Sequence, residues 1–98
     1  MKIYELTPIN TSQKGFYRKA FVEKEGGKTT LKSYGTDIVE VNNGKIKPLW
    51  DGWSMTTGKH IRSLFLNLGL NVEVNKKLWT MIQDGKIKTT KDLEKALN

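Results

Sequence analysis

The chain predicts an α+β fold: an N-terminal antiparallel sheet of four or five strands followed by three C-terminal helices packed on it. Residues 1–50 carry short β-prone segments punctuated by glycine turns, and residues 54–98 carry apolar residues at helical spacing. No Pro-, Gly- or Ser-rich linker separates the two halves, so they are expected to share one core as a single domain, 1–98. With 98 residues and no cysteine, the chain is long enough to fold without disulfides or metal, and too short for a second core.

Each element has a local reason. Ile3–Leu6 reads as a short opening strand, and Pro8–Gly15 as a polar connector. Phe16–Lys24 is β-prone through Tyr17, Phe21 and Val22. Gly26-Gly27 turns the chain into a threonine-rich return strand, Thr29–Tyr34, with Thr29, Leu31 and Ser33 on one face and Thr30, Lys32 and Tyr34 on the other. Gly35 ends it. In the next strand, Thr36–Val41, strict alternation puts Val39 and Val41 on one face and Ile38 on the other. Asn43-Gly44 is the residue pair of a type I′ hairpin and leads into Lys45–Leu49, where Pro48 marks an edge or an end. Beyond the junction, Ile61, Leu64, Phe65 and Leu68 form one apolar helical stripe that Gly69 stops. Asn75 is placed to cap a second helix bearing Leu78, Trp79, Met81 and Ile82, ended by Gly85. Thr89, with Asp92 three residues later, makes a near capping box ahead of Leu93, Ala96 and Leu97.

Charge limits the choice of partner. Seventeen basic residues stand against ten acidic ones, a formal +7, which favours an anionic partner, nucleic acid foremost. The excess is even along the chain, nine basic and five acidic residues in 1–49 and eight and five in 50–98. Arg18 and Arg62 are the two arginines, so the bidentate forks that read guanine edges are scarce and a lysine-rich solvated surface is the plain alternative. No apolar run spans a membrane, and Met1–Glu5 lacks a signal-peptide core, so a cytoplasmic location is expected.

The junction, residues 49–62, holds Trp50, Trp53, the lone histidine His60 and Arg62. Gly52-Trp53-Ser54-Met55-Thr56-Thr57, followed by His60-Ile61 and Leu64-Phe65, resembles a small uncharacterised family of Gram-positive bacteria, their phages and conjugative elements. Ile3–Pro8, Phe16-Tyr17-Lys19 and Ser33–Thr36 share the resemblance, which covers roughly residues 1–70 and leaves 75–98 as a possible added helical module. It implies a mobile-element setting and carries no activity.

Read from the residues, Ser54, Thr56 or Thr57 can cap the main helix, and Trp50 and Trp53 can cover the open end of the sheet. That reading stands ahead of a functional one, in which Lys59, His60, Arg62, Thr57 and the helix start bind an anion while Trp53 stacks on bases. Gly58-Lys59 does not make a phosphate-binding loop: five residues separate Gly52 from Gly58, and His60 follows the lysine. Asp51, Ser54 and His60 are the one nearby trio with catalytic chemistry, and turn and cap roles account for them. Asp37 and Glu40, at odd spacing on a strand, are expected on opposite faces. Neither cofactor nor metal is expected. Most of the apolar residues of the second helix are expected on the sheet, with Trp79 as a candidate partner surface if it is exposed.

The expected function is that of a small non-catalytic accessory protein of a phage or mobile element. It would bind nucleic acid, or a complex containing it, mainly by electrostatics. The alternative is a protein-binding inhibitor, of anti-CRISPR or anti-restriction type, acting on a host nuclease or ribonucleoprotein complex. A host partner retained after nuclease digestion would favour the second. The sequence leaves the oligomeric state open.

Overall fold

Two-residue turns at 26–27, 34–35 and 43–44 join the last four strands of a sheet laid out in chain order. The computed structural model describes residues 2–6, 19–70 and 72–95. Five strands form one antiparallel meander, β1 (Lys2–Glu5), β2 (Ala20–Glu25), β3 (Lys28–Ser33), β4 (Thr36–Asn42) and β5 (Lys45–Pro48). Three helices follow, α1 (Met55–Asn67), α2 (Lys76–Gln83) and α3 (Thr90–Lys95). Asn43 and Gly44 both take positive φ, 52° and 81°, as a type I′ turn requires. The expected connector 8–15, the strand start at 16–18 and the last-helix residues Ala96 and Leu97 lie outside the described residues.

Strand β4 departs from strict alternation. Leu31 pairs with Val39 but Lys32 pairs with Asp37, so Ile38 is an extra residue in a β-bulge. The bulge turns both Ile38 and Val39 inward, at 1% and 0% exposure. Ile38 therefore does not face away from the core as the sequence pattern implied. The same slip brings Asp37 and Glu40 to one face, opposite Lys32 and Thr30, which overturns their expected separation.

The inner face carries Val22, Leu31, Val39, Val41 and Ile46, and the helices cover it. Residues Ile61, Leu64 and Phe65 of α1, Leu78, Trp79 and Ile82 of α2, and Leu93 of α3 complete a cluster drawn from both halves of the chain. Burying each large apolar side chain contributes roughly 1.5–3 kcal/mol before entropy is counted. Strand β5 lies at the end of the strand order, and the segment before α3 covers its free side. Lys45 bridges Thr89, and the Ile46 N–H donates to the Lys88 carbonyl at 2.7 Å.

The outer face is a lattice of charges. All five acidic residues of 1–49 lie on it, with Lys28, Lys32, Lys45 and Lys47 among them. Lys32 reaches Asp37 at 2.9 Å and Glu23 at 3.6 Å, and Lys28 reaches Glu40 at 4.0 Å. The hydrogen bond and charge of Asp37, with Glu23 beyond it, hold the Lys32 ammonium above its ordinary pKa.

Candidate functional site

The junction is tied into the fold by its backbone as much as by its side chains. Ser54 caps α1, its Oγ accepting from the Thr57 N–H at 3.0 Å. The Gly52 carbonyl accepts from Trp79 Nε1 at 2.9 Å and from Gln83 Nε2 at 3.1 Å, and Gln83 also donates to the Trp50 carbonyl at 3.1 Å. Helix α2 is thus clamped to the bend. Both glycines accept an indole. A Cβ on Gly52 would come 2.6 Å from Trp50 Cζ2, and one on Gly58 would collide with Trp53 Cη2.

Trp79 is fully buried at 0% exposure, so the expectation of a partner surface there is corrected. Its indole fills the space between α2 and the bend, and its N–H already has a partner in Gly52.

Thr57 and His60 are likewise removed from the expected anion site. They are 4% and 0% exposed and point from α1 onto β3. There Ser33 Oγ shares hydrogen bonds with His60 Nδ1 at 2.8 Å and with Thr57 Oγ1 at 3.2 Å. A buried polar group must find such partners, and these three meet one another across the helix–sheet interface. The trio of Asp51, Ser54 and His60 does not assemble: Ser54 caps the helix while His60 turns to Ser33. Among the described residues no group of three or more His, Asp or Glu side chains could hold a metal ion, and no helix is long and apolar enough to cross a membrane.

Three of the predicted residues do converge. Trp53, Lys59 and Arg62 line a groove of about 450 Å³, together with Met55, Gly58 and the segment Glu73–Asn75. Positions 55, 59 and 62 follow helical spacing on the face of α1 opposite Thr57, His60 and Leu64. Arg62 reaches across to Glu73, Nε to Oε2 at 3.3 Å and Nη2 to Oε1 at 3.4 Å, and so joins helix to segment. Met55 stands 77% exposed at the rim. Asn75 closes the groove and caps α2, its Oδ1 accepting from the Leu78 N–H at 2.8 Å.

One residue further, a second depression of about 690 Å³ opens on α2, lined by Lys76, Lys77, Thr80, Met81, Asp84 and Lys86. Sequence reasoning missed this surface, although the doublet Lys76-Lys77 directly after a cap residue was a readable signal. Among the described residues no ion pair engages Lys59, Lys76, Lys77 or Lys86.

A family model described as a family of unknown function, DUF8033, matches residues 4–81. The match runs through most of α2, past the end near residue 70 that the sequence resemblance suggested, and so takes in the helix that Gly52 anchors through Trp79. No curated protein and no solved structure matches the chain.

Proposed function

The chain belongs to the DUF8033 family, and we propose that it is a non-catalytic nucleic-acid-binding accessory protein of a phage or mobile element, engaging its partner through its helical side. One observation carries the reading. Lysines 59, 76, 77 and 86 surround two neighbouring depressions without ion-pair partners among the described residues, while the acids of 1–49 sit on the far face of the sheet. An extended polyanion passing over α1 and α2 would meet ammonium groups, and the lattice on the opposite face would offer it little. Lysine-based contacts act as point charges, so binding is expected to be sequence-tolerant and salt-dependent.

Titration of labelled DNA and RNA between about 50 and 200 mM salt tests the proposal. Four phosphate contacts correspond to a log–log slope of about −3 to −4. No binding at the lowest salt, or affinity indifferent to salt, overturns it. In that event the inhibitor reading gains, since the half-buried Met81 among lysines suits an acidic protein surface.

A further inference from the structure

We infer that the groove beside Trp53 takes an unpaired base, so that the chain prefers single-stranded nucleic acid to duplex. This rests on the electrostatic reading above and adds to it what the groove can recognise. One wall is apolar, made by the Trp53 indole and the side chains of Met55 and Val74, and Lys59 stands on the α1 side. A nucleotide has the same division, a flat apolar base joined to an anionic phosphate. The volume of about 450 Å³ falls in the ~300–1,000 Å³ range of small-ligand sites. It admits one nucleotide and not the body of a duplex.

The indole is set before any ligand arrives. Its six-membered ring lies against Gly58, where any side chain would displace it, so its position is held by backbone. Glu73, the acid of the lining, is engaged by Arg62 and does not face the groove as a bare carboxylate. The same pair takes up the charge of Arg62, which makes Arg62 a positioning residue for the wall at 73–75. Retention of the phosphates falls to Lys59 and to Lys76 and Lys77 beyond Asn75. A duplex keeps its bases stacked and must unstack one, at a cost of a few kcal/mol, to fill the groove, whereas a single strand presents bases already free. Every base has a flat face, so the preference is for strandedness and not for sequence.

The test uses the full chain and labelled oligomers of about fifteen nucleotides, oligo-dT, oligo-rU and a mixed-sequence duplex, at equal salt. Single strands are expected to bind about tenfold more tightly than duplex. Trp53→Leu is expected to lower the ratio of single-strand to duplex affinity about tenfold, with the fold checked by urea unfolding. Met55→Ala, at a rim position that no core contact depends on, moves the ratio the same way by a few-fold. A preference between dT and rU would name the polymer, and equal affinity would mean that base and phosphate alone are read. Equal, salt-dependent affinity for single strand and duplex overturns this inference and leaves the electrostatic reading standing. Absence of binding to either overturns both.

Discussion

The outer face of the sheet and the helical side meet solvent with the same residue types and arrange them in opposite ways. On the sheet's outer face, the directly paired charges are opposite in sign, Glu25 with Lys28, Lys32 with Asp37 and Glu40 with Lys47, and Lys32 lies between Glu23 and Asp37. On the helices, Lys59, Lys76, Lys77 and Lys86 border open depressions without such partners among the described residues. On the first surface Lys28 and Lys32 are engaged by neighbouring carboxylates, and on the second the four lysines are left with charge to offer. Net charge along the chain hides this, because strand alternation sends the acids of 1–49 to one side of the sheet and its fold-back leaves the helices on the other.

The comparison holds only while the helices stay on the sheet, and the largest effect is expected where that docking is cut. Trp79→Ala removes a fully buried indole and its bond to Gly52. Urea unfolding should show a loss of about 3–5 kcal/mol, enough to threaten a small domain. A loss under about 1 kcal/mol would mean that α2 is not anchored through the bend.

Next in size is the direct contrast of the two faces. The triple variant Lys59→Glu, Lys76→Glu, Lys77→Glu is expected to weaken nucleic-acid binding by about two orders of magnitude and to flatten the salt slope by about 3. The charge-matched triple variant Lys28→Glu, Lys45→Glu, Lys47→Glu on the sheet should change affinity by less than about twofold. Equal losses from both sets would show that the bulk charge of the protein, not its helical side, does the binding.

What the sequence displayed and what it hid have separate physical causes. Caps and turns are local, so Ser54, Asn75, the Asn43-Gly44 hairpin and the Thr89–Asp92 pair were readable from a few residues each. The bulge at Ile38 was not, because it arises from pairing with β3 and leaves no mark in the alternation of one strand. The site was half legible. Trp53, Lys59 and Arg62 came together as expected, while Thr57 and His60 went to the core. That division was available in the sequence, since 57, 60, 61 and 64 share the stripe of Leu64 and Phe65 and 55, 59 and 62 do not.

A smaller effect tests the paired charges of the sheet. Lys32→Met removes the link between Glu23 and Asp37, and since the ammonium is partly exposed the expected loss is at most about 1 kcal/mol. The pH dependence has a definite sign. A lysine whose pKa is raised by folding stabilises below its ordinary value of 10.5 and loses that contribution as pH rises through the folded value. Alkaline unfolding of the parent chain should therefore include a component above pH 10.5 that the variant lacks. Nucleic-acid affinity at neutral pH should be the same for both, and a change there would tie the two faces together.

The smallest effect lies with an acid on the helical side that serves the backbone. Asp92 Oδ2 accepts from the Lys88 N–H at 3.1 Å and the Thr89 N–H at 3.2 Å, and the Asp92 N–H donates to Thr89 Oγ1 at 3.1 Å. The Lys88 amide, with the Thr89 contacts and the charge of Lys95 behind it, holds the Asp92 carboxyl below its ordinary value of 3.8. A depressed carboxylate contributes stability above 3.8 and loses it as pH falls through the folded value. Acid should therefore fray α3 first, and with it the Thr89 bridge that covers β5. Amide exchange at Lys88–Thr90, followed from pH 5 downward with allowance for intrinsic rates, is expected to lose protection in the parent chain below pH 3.8. In Asp92→Asn the protection should be lower from the start and flat across the same range. A parent profile as flat as that of the variant would mean that the carboxylate is not what holds the segment on β5, and that Leu93 in the core does so alone.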